Sequence, residues 1–510
     1  MYTVKLLDSK RYLFLVVYTM VIGIAMAQPP SLFNNRGASM YILPGAYMIV
    51  NNDSLYNHKG YIQNAGDLRI AGHIFNDDTL AGGPTTTTGL YDIGGNWVNS
   101  GTVISYNDSV LLNGNAQWIT GTRVTPFHHL ILAGTTASVK TQTIDATVSG
   151  ILDLRDHELA TQQQQMLVLN TAQGAITKSN GANGFVSSLD TGKLSRATNA
   201  IIPYFYPTGT PSSLVGATFY YRPITITPTS SASNIYGVRL AHDPSADTYD
   251  VNKLDLILCR VNPLYYHRMY HSQGSNAADI KMYFDATNDG AWTDMAHWGT
   301  ASDWTYMGVP TSGSGIGFST LEIKNWSNFK PHPFALGAKK FNVEAGPDQA
   351  IYTGQTTNIN AIISTTSIAS IVWTPATTLD ADNVKDPKAS PTETTQYVIT
   401  VTDHVGCQVS DSITISLLPD MLLIPTAFSP NKDGLNDIFR PLNKNLNKIV
   451  FQVFNRWGEK VYETDQIGEG WDGTFKGVKQ DMGVFAWQAQ YQLLGSPQSL
   501  SASGNVTLVK

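Results

Sequence analysis

Gly66-Asp-Leu-Arg-Ile-Ala-Gly-His-Ile-Phe-Asn-Asp-Asp-Thr-Leu80 aligns with Gly89-Leu-Tyr-Asp-Ile-Gly-Gly-Asn-Trp-Val-Asn-Ser-Gly-Thr-Val103 at an offset of 23 residues, sharing Gly, Ile, Gly, Asn and Thr. A period in the low twenties suits one coil of a β-solenoid. Short strands would turn Ile, Leu and Val inward. Gly and Asn would take the corners, where the chain needs positive φ or a side chain that stacks on its own backbone. Val110-Leu-Leu-Asn-Gly114, His129-Leu-Ile-Leu-Ala-Gly134 and Val148-Ser-Gly-Ile-Leu-Asp-Leu154 keep this grammar without a strict period. Residues 28–197 therefore read as a β-solenoid-like region, with an irregular β-sandwich as the alternative.

Composition agrees with a mainly β protein. The 510 residues carry 33 Lys+Arg and 39 Asp+Glu, 14 % charged, where an ordinary soluble domain has roughly 25 %. Thr, Ser, Asn and Gly supply the polar balance, which disfavours long amphipathic helices and favours strands with polar turns. Apolar residues at 42 % exclude disorder throughout. The length suggests three or four domains.

Lys5, Lys10 and Arg11 precede an apolar run from Leu13 to Ala25, followed by Ala25-Met26-Ala27. This pattern reads as a secretory signal, residues 1–27, cleaved between Ala27 and Gln28. The run is shorter than the roughly 20 residues a membrane span needs, so no integral span is expected once the signal is removed. Its removal takes the net charge from −6 to −8, and a mildly acidic exported chain is a poor nucleic-acid binder. The two cysteines, Cys259 and Cys407, cannot make a disulfide framework. Pairing across domains is open to them, but two buried free thiols is the simpler expectation.

Residues 198–340 change rhythm to longer strands and aromatic pairs, as in Tyr220-Tyr-Arg-Pro-Ile-Thr-Ile-Thr227 and Lys281-Met-Tyr-Phe-Asp285, which predicts a β-sandwich. In residues 341–418, Ala345-Gly-Pro-Asp348, Trp373-Thr-Pro375, Thr394-Thr-Gln-Tyr397 and Val401-Thr-Asp403 together resemble a PKD or immunoglobulin-like domain. Tyr397-Val-Ile-Thr-Val-Thr402 alternates at period two, and Trp373 suits the space between two sheets. The resemblance implies a spacer.

Residues 419–510 hold the sharpest signal. Ile424-Pro-Thr-Ala-Phe-Ser-Pro-Asn-Lys-Asp-Gly-Leu-Asn-Asp437 contains Pro425, Phe428, Pro430, Asn431, Asp433, Gly434, Asn436 and Asp437. Asn455-Arg456-Trp457-Gly458 follows, then Trp471-Asp472-Gly473, Gly483 and Trp487. In order and spacing these residues are similar to the gliding motility-associated C-terminal domain, the type B sorting domain of type IX secretion. The resemblance implies a fourth, immunoglobulin-like β-sandwich, passage through the periplasm, capture by the outer-membrane translocon, and delivery to the cell surface or beyond. Ile449, Phe451 and Val453 share one strand face, and Phe485, Trp487, Ala489 and Tyr491 another, so both strands can bury a face. The Trp residues of the two turns are expected to cover the open end of the core. Val506-Thr-Leu-Val509 is expected to pair as the last strand.

Asn431, Asp433, Asn436 and Asp437 alternate around a glycine as calcium ligands do, but the loop lacks an initial Asp and a distal Glu. An Asx-type turn is the competing reading, and no cofactor is expected otherwise. His267 and His271, four apart, could open a metal site or belong to a partly exposed aromatic strand. Asp153, Asp156 and Glu158 could pair for glycoside hydrolysis or mark a solenoid corner and edge. Trp292, Trp298 and Trp304 could form a sugar-stacking patch or a core. Ser312-Gly-Ser-Gly-Ile-Gly317 reads as a flexible loop. No nucleophile, base and orienter converge in sequence, so a non-enzymatic surface protein is expected, for adhesion to glycans or cell-surface proteins. The alternatives are a polysaccharide-active enzyme with its site in 28–340 and a structural matrix component.

Overall fold

The computed structural model describes residues 32–509 apart from 52, 85, 180, 214–218, 243–248, 331–332, 419–421, 444 and 495–497. The signal cleavage at Ala27 and Gln28 lies outside the described residues. Their regular secondary structure is strand apart from one 3-10 turn at Gln173–Ala175, with no α-helix among the described residues. The chain divides into two compact units, residues 1–339 and 340–510.

The first unit opens as a three-faced parallel solenoid. Eight parallel strands stack on the first face, from Leu32–Arg36 to Phe185–Ser187. Seven stack on the third face, from Tyr47–Val50 to Ile176–Thr177. The second face holds four strands, Ser39–Ile42 to Thr102–Ile104, then resumes as a separate sheet at Thr125–Phe127. The two aligned sequence units are adjacent coils in register, with Asp67 beside Leu90, Ile74 beside Trp97 and Thr79 beside Thr102. The repeat is irregular because corners differ in length: Leu55 pairs Ile74, 19 residues on, and Glu158 pairs Phe185, 27 residues on.

The shared residues have physical reasons. Gly66 and Gly89 sit where a Cβ would lie 2.3 Å and 2.1 Å from a carbonyl oxygen of the coil beneath. Close approach between coils, rather than positive φ, reserves these corners for glycine. The shared Asn is part of an interior ladder. Asn35 donates through Nδ2 to Asn57 Oδ1 (2.8 Å), Asn57 to Asn76 (2.9 Å) and Asn76 to Asn99 (2.9 Å), all four buried. It stops at Gly121, where any Cβ would lie 1.9 Å from Asn99 O.

The strand Lys193–Thr198 pairs in parallel with Gln165–Val168 on one side and antiparallel with Asn234–Ala241 on the other. The solenoid's second face thus runs into a sandwich sheet that continues through Tyr266–Gln273, Pro333–Lys339, Asp294–Trp298 and Trp304–Tyr306. Five strands, Tyr204–Tyr206, Ile224–Pro228, Ala278–Phe284, Phe318–Trp326 and Thr311–Gly315, make the facing sheet. Ser312–Gly317 is therefore an edge hairpin strand and its turn, not a free loop; Ile316 and Gly317, both at positive φ, reverse the chain. Within this sandwich Arg222 grips Asp289 through Nε and Nη2, both at 2.5 Å, and Tyr265 donates its hydroxyl to the same carboxylate at 2.6 Å.

In the second unit, Gln349–Tyr352, Gln408–Leu418, Thr395–Asp403 and Ile368–Thr374 form a four-stranded sheet over a fully buried Trp373, whose Nε1 donates to Val384 O. The C-terminal sheet orders Ala427–Phe428, Ser499–Leu508, Gly483–Leu493, Leu446–Phe454 and Lys460–Thr464. Neither Cys259 nor Cys407 is a free thiol, which corrects the expectation drawn from their spacing; distance along the chain does not fix a thiol's state.

Candidate functional site

The C-terminal sheet collects the sharpest sequence motifs into one folded body. Phe428, Phe439, Phe451, Trp471, Phe485, Val506 and Leu508 share a buried core. Trp471 stacks edge-on to Phe485 at 4.6 Å and donates Nε1 to Thr474 O at 2.7 Å. Asp472 accepts from Thr474 N and Oγ1, which closes the turn around Gly473. A Cβ at Gly473 would crowd Leu508 and Pro430. Phe485, Ala489 and Tyr491 are buried, and Trp487 lies across Gly504 of the neighbouring strand. Ser499–Leu508 lies between Gly483–Leu493 and the two-residue edge strand Ala427–Phe428, so its removal would unpair both and bare one side of Gly483–Leu493.

The loop Asn431–Asp437 is closed by its own acids. Asp437 accepts from Lys432 N (2.6 Å) and Gly434 N (2.8 Å), and Asp433 accepts from Leu435 N (2.7 Å) and Asn431 Nδ2 (2.9 Å). These bonds, Leu435 N foremost, hold the Asp433 carboxyl below its ordinary pKa. Asn436 contributes its backbone carbonyl, which accepts from Ser429 N. This is the Asx-turn arrangement.

The second turn departs from expectation. Trp457 is 85 % exposed and does not cover the core, whereas Trp471 is fully buried. Asn455 supplies the reason, since its Oδ1 accepts from both Trp457 N and Glu459 N at 3.0 Å and folds the turn outward from the sheet.

The candidate pairings of the first unit do not assemble. His267 is fully buried with Nε2 donating to Arg222 O at 2.8 Å, and burial lowers its pKa to about 4. His271 stacks on Tyr236 at 4.4 Å and reaches Asn234 Oδ1. Among the described residues no group of three or more His, Cys, Asp or Glu side chains is placed to hold a metal. Asp153 lies on the third face, bonded to Thr177 Oγ1, while Glu158 lies on the first, buried against Ser187 and Ser212. Asp156 faces His157 at 3.1 Å. Trp292, Trp298 and Trp304 are all buried, with Trp298 edge-on to Trp304 at 5.5 Å, so they offer no sugar-stacking surface.

A different aromatic surface was not legible in the sequence. On the first solenoid face, Leu55, Ile74, Trp97 and Ile119 point inward, which turns Tyr56, Phe75, Val98 and Trp118 outward. Trp118 is 49 % exposed. Tyr56 meets Phe75 edge-on at 6.1 Å, and His73 lies 5.7 Å from Phe75. The polar groups between them are tied coil to coil: Asn96 N to His73 Nδ1, Trp118 N to Asn96 Oδ1, and Thr143 Oγ1 to Thr120 Oγ1. The signal that could have found this surface is the coil register, which alone says which aromatic residues share a face.

No curated protein matches this chain. Among solved structures, dimeric latent PorU from Porphyromonas gingivalis is similar at 8 % identity and a TM-score of 0.14, covering 56 % of this chain and 31 % of that one. The Bacteroides ovatus mixed-linkage glucan utilization locus protein SGBP-B, in complex with a mixed-linkage heptasaccharide, is similar at 10 % identity and a TM-score of 0.13, covering 62 % and 91 %. Both scores are too low to carry an argument. No helix among the described residues is long and apolar enough to cross a membrane. Residues 422–507 match the CHU_C type IX secretion signal domain, so the chain carries a C-terminal sorting domain for export by type IX secretion to the cell surface or extracellular space.

Proposed function

We propose that this is a non-enzymatic surface or secreted protein, of the kind associated with gliding motility, whose N-terminal unit binds a glycan. A signal peptide takes it to the periplasm, residues 419–510 hand it to the outer-membrane translocon, and the PKD-like residues 341–418 act as a spacer. The observation that carries the binding role is the outward pair Tyr56 and Phe75, in register on adjacent coils, with His73 beside Phe75 and Trp118 on the same parallel sheet, two residues out of line with the pair. Aromatic faces repeated at multiples of the roughly 4.8 Å strand spacing suit an extended polymer that repeats along the solenoid axis. The separation of Asp153 and Glu158 onto different faces argues against glycoside hydrolysis, which needs two carboxyl groups astride one bond.

A glycan array probed with the purified chain, followed by a reducing-sugar assay on each hit, tests the reading. Binding without product, lost in Trp118→Ala, supports it. Product would turn the reading to a polysaccharide-active enzyme, and self-association without glycan binding would turn it to a matrix component.

A further inference from the structure

The sorting domain presents one large aromatic side chain without burying it. At 85 % exposure Trp457 stands apart from every other exposed aromatic among the described residues, the next being Tyr41 at 57 %. Leaving an indole in water forgoes the burial that usually stabilises it. The turn that holds it is braced. Asn455 N donates to Glu459 O and Gly458 N to Asn455 O, both at 3.0 Å, while Asn455 Oδ1 takes the Trp457 and Glu459 amides. Gly458 at φ +78° closes the reversal. Long strands on either side, Leu446–Phe454 and Lys460–Thr464, anchor both ends.

The acids of the sorting-domain motifs are taken up locally. Asp433, Asp437, Asp472 and Glu459 each accept hydrogen bonds that close their own turns. The exposed Arg456 makes no hydrogen bond to another described residue, and its Nη2 lies 3.4 Å from where a Cβ on Gly483 would be. Gly483 thus leaves room for the guanidinium to lie along the sheet. Trp and Arg are the residues most enriched at the energetic centres of protein interfaces, and a turn already fixed in place loses little freedom on binding.

We propose that the Arg456–Trp457 turn is the contact by which the type IX apparatus captures this sorting domain, with the indole entering an apolar pocket and the guanidinium meeting an acidic or carbonyl rim. The proposal rests on the reading that the sorting domain delivers the chain. The experiment uses the full chain, with its own N-terminus, in a type IX-competent host. Surface and periplasmic amounts are compared for wild type, Trp457→Ala, Arg456→Glu, Trp457→Phe and a deletion of 422–510, and the melting temperature of each full-length chain is measured.

The expected result is a drop of surface protein to about a tenth or less in Trp457→Ala and Arg456→Glu, the loss typical of interface hot spots. Partial export is expected in Trp457→Phe, with unchanged melting temperatures and folded chain held in the periplasm. Normal export of both Trp457→Ala and Arg456→Glu, while the deletion is retained, overturns the turn as the contact and leaves the sorting role intact. Normal export of the deletion overturns the sorting role itself. A clear fall in melting temperature for Trp457→Ala also overturns the proposal, since it would make Trp457 a packing residue.

Discussion

Asn57 Nδ2 donates to Asn76 Oδ1 at 2.9 Å inside the solenoid, and Asn76 passes the same bond to Asn99. Each buried amide is satisfied by the coils above and below, so the ladder fixes which coil stacks on which. Replacing Asn76 with Ala removes both ladder bonds, but Asn57 Nδ2 keeps Gly60 O and Thr79 O, and Asn99 Oδ1 keeps Gly101 N. At about 1 kcal/mol for each lost hydrogen bond, the loss should be about 2 kcal/mol. Asn35→Ala, which has one ladder neighbour, should cost less. Urea midpoints followed by far-ultraviolet circular dichroism check this, and equal small shifts for both variants would contradict it.

Lys140 is buried in the same interior, with Nζ donating to Gln117 Oε1 (2.8 Å) and to the carbonyl oxygens of Gly114 and Asn115. Burial lowers its pKa from 10.5 to about 8. Between those values the unfolded chain keeps a proton that the folded chain has released, so this site adds stability as pH rises through the window and adds least below pH 8. The stability of wild type relative to Lys140→Met should therefore rise from pH 8 to 10.5 and stay level from pH 6 to 7.5. A flat difference throughout would remove the titration from the account.

Arg222 and Asp289 form a bidentate pair in the sandwich, with side-chain exposures of 8 % and 0 %. Removing only the carboxylate, as Asp289→Ala, leaves a guanidinium buried without its counter-charge and a Tyr265 hydroxyl without its acceptor. The expected cost is about 3–5 kcal/mol. The double replacement Arg222→Met with Asp289→Leu should recover most of it, because no charge is then stranded. Thermal melts of wild type and the two variants decide the point.

The Asn431–Asp437 turn spends its carboxylates on backbone amides. Millimolar calcium should leave the melting temperature of the purified chain unchanged. Asp437→Ala, which strands the Lys432 and Gly434 amides, should lower it with or without calcium. A calcium-dependent rise in wild type that Asp437→Ala abolishes would establish a metal loop instead.

How much was legible follows from which forces are local. The 23-residue offset, the shared Asn76 and Asn99, and the alternation of Ile449, Phe451 and Val453 are patterns of a few neighbouring residues, and they announce coils and strands directly. The motifs around Asp433, Trp471 and Gly473 likewise marked the sorting domain, because a tight turn closes on residues two or three away. Trp292, Trp298 and Trp304 could not be sorted from a binding patch by sequence, since burial of an indole depends on strands far along the chain.

By itself the sequence determined the composition of an exported β protein, the coil period and the C-terminal sorting motif. Only tertiary structure decided which aromatic rings reach solvent. Tyr56, Phe75 and Trp118 come from three separate coils and share a surface through parallel register alone. Trp457 and Trp471 both precede a glycine-bearing turn, yet one faces water and the other fills the core. Asn455 draws the first turn outward through its own side chain, while Phe439 pairs with Trp471 from 32 residues away and draws the second inward. A side chain's exposure is set by what the rest of the chain brings against it, and that information is not local.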